Sequence, residues 1–337
     1  MDKFFSIIIP TRNRPETCAV AVQSAAEQAG SDYEIILVDD GSDDRHGPAY
    51  AALQARFGEV LRVHALPKTE RGHGPSFARN TGVWVSRSRY LAFLDDDDQW
   101  TDPGYLAQAR RTIEAVGEPD LHYADQAAFE GERELADDIW LGALARHTGA
   151  FRPVGDGAYL VTAEQLVRCA TGFCHLNTTI VSRRLFERVR GFDTGLRYEP
   201  DRDFALRTVG SANQIVYRPK VVARHNVPDR SRSDNVTTQT SPIEKCINQL
   251  YLLDKAICFL KPPLVDYAIE HKGYTLKRMA EIMAAEGDYR TAARYAGEAL
   301  GLRFSPKWLA YSLYLRSRAM RAPAHVTRAG KWYGTAD

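Results

Sequence analysis

The chain has 337 residues, of which 44% are apolar and 26% charged. That balance excludes a disordered polymer and a disulfide-stapled miniprotein, and the length fits one large domain with an appendage or two moderate domains. Lys plus Arg number 44 against 43 Asp plus Glu, a formal net charge of +1, so there is no whole-molecule field to attract nucleic acid.

The five cysteines (Cys18, Cys169, Cys174, Cys246 and Cys258) are scattered and form no C-x-x-C pair. This argues against a zinc ribbon or a thioredoxin-like site and fits a reducing cytosol. The opening ten residues carry an apolar run too short for a signal peptide, ended by a proline-led loop. No stretch approaches the roughly 20 apolar residues of a membrane span, so the expected location is cytoplasmic, at most peripheral at a membrane face.

Residues 4–9 form a short, wholly apolar, β-rich run, which reads as a strand buried on both faces. A helix is expected over 16–28, a second strand over 33–38, a helix over 49–57 and a strand over 60–65. A helix over 76–85 and a strand over 90–94 follow. This alternation is the signature of a doubly wound α/β sheet. Polar clusters follow Ile9, Val38 and Leu94, at strand ends where open α/β sheets bind ligands. From 119 to about 180 the pattern weakens into loops and short elements. A strand is expected over 178–182, helices over 184–190 and 204–209, and a strand over 215–223. Residues 231–242 read as a linker. Beyond it, apolar residues at helical spacing over 243–260, 264–285, 289–300 and 306–320 predict an all-α bundle. The stretch around Gly287 resembles a tetratricopeptide-type hairpin, with a simple helical bundle as the alternative.

Asp95, Asp96, Asp97 and Asp98 are four mutually repelling acids directly after a buried strand. A hard divalent cation such as Mn²⁺ or Mg²⁺ relieves that repulsion. Asp39-Asp40-Gly41-Ser42 is a second acidic turn at the same edge; a carboxylate there can accept from a base N–H, and Gly41 permits close backbone approach.

Together these segments resemble the family 2 glycosyltransferases, inverting nucleotide-sugar enzymes of the GT-A fold. The residues carrying the resemblance are Ser6-Ile7-Ile8-Ile9-Pro10-Thr11-Arg12-Asn13-Arg14, Ile36-Leu37-Val38-Asp39-Asp40-Gly41-Ser42, Ala78-Arg79-Asn80-Thr81-Gly82 and Tyr90-Leu91-Ala92-Phe93-Leu94 with the four acids. A weaker match runs through Gly191-Phe192-Asp193 to Arg207, so the likeness covers about residues 1–230 and leaves the helical tail, 243–337, outside.

The resemblance implies a GT-A domain with a mixed sheet and a donor pocket lined by Pro10, Thr11, Arg12, Asn13, Asp39, Asp40, Gly41, Ser42, Arg79, Asn80, Asp95 and Asp96. It implies a D-x-D motif in the acid run, with Asp96 near the ribose. Asp97, Asp95 and His225 would serve a divalent metal on the donor diphosphate, UDP by family habit. The acceptor would be a glycan, a lipid-linked sugar or a protein, as in polysaccharide biosynthesis. The catalytic base falls at Asp201, although Pro200 departs from the family's acidic pair; Glu199 and Asp203 remain alternatives.

Two other readings share parts of this pattern. A GT-A-like nucleotidyltransferase calls for a Gly-rich loop after the first strand, which Pro10-Thr11-Arg12-Asn13 lacks. A noncatalytic nucleotide-binding scaffold would bind donor without consuming it. A Rossmann dehydrogenase is excluded by the missing glycine fingerprint. Finally, Arg303, Lys307, Arg316, Arg318, Arg321, Arg328 and Lys331 are interleaved with Trp308, Tyr311, Tyr314 and Trp332. Such a segment suits an anionic membrane surface, or a solvated helix face with its aromatics packed inward.

Overall fold

The computed structural model describes residues 3–136, 140–170, 172–227 and 240–321. Its first half alternates strands and helices: β1 (Phe5–Thr11), α1 (Pro15–Ala26), β2 (Tyr33–Asp39), α2 (Gly47–Phe57), β3 (Leu61–Ala65), α3 (Pro75–Val85) and β4 (Tyr90–Phe93). Three of these helices have proline in their first turn, where the missing N–H costs no hydrogen bond. Next come β5 (Gln99–Trp100), α4 (Tyr105–Val116), β6 (Leu121–Glu130), β7 (Arg133–Ala136), β8 (Arg152–Gly155), β9 (Ala158–Val161) and α5 (Ala163–Cys169). Then β10 (Thr179–Ser182), α6 (Arg183–Arg188), α7 (Pro200–Ser211) and β11 (Ile215–Asn226) complete the sheet-bearing unit.

The described strands form one mixed sheet in the order β3-β2-β1-β4-β10-β6-β11-β9-β8, with β5 on β11 and β7 on β6. β1 pairs in parallel with both β2 and β4, in register Ile8↔Ile36 and Ile8↔Phe93. The chain therefore winds outward through β2 and β3 and then reverses to β4 on the other side of β1. That reversal opens a crevice beyond Thr11 and Phe93, where such sheets bind ligands. Ile7, Ile8, Ile9, Ile35, Ile36 and Leu37 are wholly buried, each contributing about 1.5–3 kcal/mol relative to exposure. The interior tolerates little extra bulk. A Cβ on Gly82 of α3 would stand 2.5 Å from Ile8 Cγ2 and 3.1 Å from Val38 Cγ2, so this glycine sets how closely α3 lies on the sheet.

The middle of the chain differs from the sequence expectation. Residues 119–180 are not mainly loops: β6 is ten residues long, sits between β10 and β11, and is buried over its first eight positions. His122, Asp125 and Gln126 obscure it in the sequence by placing polar groups in a strand that is covered on both faces. α4 was likewise absent from the sequence reading.

A second compact unit comprises, among the described residues, 240–257 and 266–321, whereas 258–265 group with the sheet unit. The helices here are α8 (Pro242–Phe259), α9 (Leu264–Ala285), α10 (Tyr289–Leu302) and α11 (Pro306–Arg321). Asp288 caps α10 by accepting from Thr291 N at 3.0 Å. Small residues allow close packing: Ala280, Ala292, Ala293 and Ala296 form a buried cluster with Leu315, flanked by Trp308 and Tyr311. The linker expected at 231–242 lies, up to residue 239, outside the described residues, as do Arg328, Lys331 and Trp332.

Candidate active site

The C-terminal ends of β1, β2 and β4 bring together Thr11, Asp39, Asp40 and the four-acid run, as the sequence predicts. Within that run the side chains divide. Asp96 and Asp98 are each 1% exposed, whereas the side chains of Asp95 and Asp97 are 26% and 33% exposed. Two acids act as internal struts and two face outward.

Asp96 spends both oxygens internally. Thr11 Oγ1 donates to Oδ2 at 2.7 Å, and Arg14 Nη2 donates to Oδ1 at 2.5 Å. The second Arg14 amino group donates to Asp97 Oδ2 at 2.8 Å, so one guanidinium bridges two neighbouring carboxylates. Burial pushes both carboxyls up and mutual repulsion adds to the rise, while Arg14 opposes it. Both oxygens of Asp96, the residue expected near the ribose, are thus engaged by Thr11 and Arg14.

Asp98 is held by three groups. Asn177 Nδ2 donates at 2.6 Å, Asn226 N at 2.6 Å, and His225 Nδ1 at 2.8 Å. Burial alone lowers the His225 pKa, but the Asp98 carboxylate outweighs it and leaves it raised. Trp140 and His175 pack against the His225 ring, with centroids 5.1 and 4.9 Å away. Burial drives the His175 pKa down to about 4.

Arg79 Nη2 donates to Asp95 Oδ1 at 2.5 Å. Burial raises the Asp95 carboxyl, yet Arg79 and the nearby histidines bring it below its ordinary value. Asn80, expected to line the donor pocket, is bonded to the backbone of Phe192. Its amide donates to Phe192 O at 2.9 Å and accepts from Phe192 N at 2.8 Å, clamping the segment that leads to α7. Gly191 has φ +65°, and a Cβ there would stand 2.6 Å from Asn80 Oδ1.

On the β2 side, Asp39 Oδ1 accepts from Ser42 N and Oγ at 3.0 and 2.5 Å, and Ser42 Oγ accepts from Asn13 N at 2.7 Å. Asp40 accepts from His73 N, His73 Nδ1 and Gly74 N at 2.8, 2.9 and 2.8 Å. Arg12 Nη2 donates to the carbonyls of Thr69 and Glu70. A Cβ on Gly41 (φ +68°) would meet Lys68 Cα and Pro67 O, both at 2.9 Å. The close approach that Gly41 permits is thus made by the chain's own loop. Pro10 sits buried within β1, opposite Val38.

Asp201 lies in the first turn of α7, after Pro200 and a left-handed Glu199 (φ +53°). Glu199 Oε2 accepts from Arg202 at 3.1 Å, and Asp203 Oδ2 accepts from Arg207 Nη2 and Nε at 2.6 and 2.9 Å. Among the described residues, Asp201 has no such ion pair. Burial pushes its carboxyl up to about 6, Glu199 adds to the rise, and Arg79 opposes it. The electrostatic influence of Arg79 and Asp95 ties Asp201 to the acidic crevice.

Among the described residues, no three His, Cys, Asp or Glu side chains are gathered as a metal site. The expected set of Asp95, Asp97 and His225 is therefore not assembled: His225 turns to Asp98, while Arg79 and Arg14 hold the two outward acids. The sequence reading also gave no site role to Arg14, Asp98, Asn177 or His73. The first two lie inside the quoted motifs, and the Gly72-His73-Gly74 run is a signal for the last.

This arrangement defines a GT-A-type fold with its ligand crevice at the topological switch point. Residues 6–118 match the family described as "Glycosyl transferase family 2". The PGL/p-HBAD biosynthesis glycosyltransferase of Mycobacterium bovis is 29% identical over 223 residues, covering 66% of this chain and 76% of that protein. Staphylococcus aureus TarS 1–349 in complex with UDP-GlcNAc superposes with a TM-score of 0.64 at 16% identity, over 95% of this chain and 89% of the other. The longer TarS structure is covered over 54% of its length. Mannosyltransferase PcManGT from Pyrobaculum calidifontis, in complex with GDP-Man and Mn²⁺, superposes with a TM-score of 0.57 at 18% identity, over 95% and 87%. The family match spans residues 6–118, and with the named relatives it marks the chain as a glycosyltransferase with an added C-terminal helical region.

Proposed function

We propose that the chain transfers a sugar from a nucleoside-diphosphate donor, with UDP as the first candidate, to an acceptor hydroxyl with inversion at the anomeric carbon. The observation that carries this reading is the division of the acid run. Asp95 and Asp97 are the partly exposed acids at the C-terminal end of β4, and Asp201 lies within electrostatic reach of Asp95. Inversion in a single displacement needs a base opposite the leaving group. Asp201 takes the acceptor O–H proton as that oxygen bonds the anomeric carbon, and the bond to the diphosphate oxygen breaks with its electron pair. Arg79, 6% exposed beside Asp95, supplies fixed positive charge at the crevice wall.

The two outward carboxylates fit a hard divalent ion, because one oxygen of each is bonded by no described residue and carboxylate oxygens suit Mn²⁺ or Mg²⁺. Asp95 and Asp97 would hold the ion, which when bound neutralises charge on the leaving diphosphate. The comparisons leave the base open: one neighbour holds UDP-GlcNAc, the other GDP-Man with Mn²⁺.

A thermal-shift panel of UDP, GDP and TDP and their sugars, with and without Mn²⁺, tests donor and metal together. The expected result is stabilisation by one nucleotide series that depends on Mn²⁺ and disappears in Asp97→Ala. Stabilisation independent of metal, or unchanged in Asp97→Ala, overturns the metal assignment. An anomeric product signal of retained configuration in NMR overturns inversion.

A further inference from the structure

We infer that α11, with Arg303 and Phe304 just before it, forms a surface that binds anionic lipid bilayers. Trp308, Tyr311 and Leu315 pack inward on the alanine cluster of the helical unit. Leu309, Leu313, Arg316 and Met320 follow one another at steps of four, three and four, and so share the opposite side of the helix. The three apolar members of that stripe are 38%, 56% and 82% exposed, and Phe304, just before the helix, is 68% exposed. An apolar stripe with a cation inside it suits the boundary between headgroups and acyl chains better than water. α11 does not cross: no described helix is long and apolar enough to span a membrane.

Charge identifies the occupant. Residues 303–337 hold seven Lys or Arg and one acid, the final Asp337, leaving this segment at +6 and residues 1–302 at −5. Among the described residues, Lys307, Arg316 and Arg321 pair with no carboxylate, whereas Arg303 pairs with Glu270 and Arg318 bonds the hydroxyls of Tyr289 and Tyr314. Unpaired cations beside exposed leucines complement anionic headgroups above acyl chains, each cation adding attraction that salt screens.

The full-length chain is sedimented with vesicles of phosphatidylcholine alone or mixed with phosphatidylglycerol, at low and at near-molar salt. It should sediment with the anionic vesicles at low salt and be released by high salt. Leu309→Gln with Leu313→Gln, both at exposed positions, should weaken partitioning by about tenfold or more while circular dichroism stays unchanged. Met320→Gln gives a second, milder variant should the pair perturb packing. Absence of binding to anionic vesicles at low salt overturns the inference, as does equal partitioning of all variants. So does a concentration-dependent dimer, seen by sedimentation velocity and lost in the double variant, since a second copy would then cover the stripe. Transfer to a soluble acceptor is unaffected in either variant, which separates this result from the fate of the proposed reaction.

Discussion

Arg14 and Asp201 show how single side chains set the chemistry of the crevice. Arg14 holds a buried and an outward carboxylate at once, so the acid run keeps its shape by an internal counter-charge. Among the described residues Asp201 has no arginine of its own, and burial leaves its carboxyl at about 6. A base acts only when deprotonated, so the proposed role predicts that kcat/KM falls as pH drops below about 6 and is flat above it. Asp201→Asn should lower turnover by about 10²–10⁴-fold and abolish that acid limb, measured by donor consumption against pH. Full activity of the variant, or an unchanged limb, would reassign the base. Much of this site is legible in the sequence because acids placed directly after buried strands must lie at the sheet edge. What the sequence withholds is direction. Nothing in four identical residues says which two point inward, and Asp98 reaches His225 across 127 positions only because β5 pairs with β11. Asp40 likewise meets His73 and Gly74 through loop closure rather than periodicity.

Among the elements, α3 shows how packing carries residues to the site. It brings Arg79 to Asp95 and Asn80 to Phe192, and its height over the sheet is fixed at Gly82. Gly82→Ala should push α3 off Ile8 and Val38 and cost about 1–3 kcal/mol in denaturant unfolding, with donor affinity falling as Arg79 shifts. Gly58, whose left-handed turn meets no neighbouring atom, offers a comparison in which only backbone strain is added. A neutral Gly82→Ala would mean that α3 does not set the position of Arg79. The β1–β4 half and the C-terminal helices announce themselves through unbroken apolar runs and helical spacing. β6 does not, because His122 and Gln126 carry buried nitrogens with no hydrogen-bond partner among the described residues. Such groups run against the rule that buried polar atoms are bonded, and a reading built on that rule passes over the strand.

For the whole molecule, charge is distributed unevenly while nearly cancelling in sum. A net +1 conceals a segment of +6 over residues 303–337 and −5 over the remainder, so two copies meeting at low salt carry stretches of opposite charge. A near-zero total also provides little long-range repulsion to keep copies apart. At an ionic strength of about 0.01 M the Debye length is about 30 Å, on the scale of a domain, and at about 0.15 M it shrinks to about 8 Å. Static light scattering should therefore give a negative second virial coefficient at low salt that rises toward zero or above as salt is added. A protein whose copies repelled through one dominant sign would show the reverse trend, with salt lowering the coefficient. That reversal would mean that the basic segment is neutralised within its own chain. It would also leave fewer cations for a lipid surface, so the scattering and vesicle experiments test the same uneven charge from two directions.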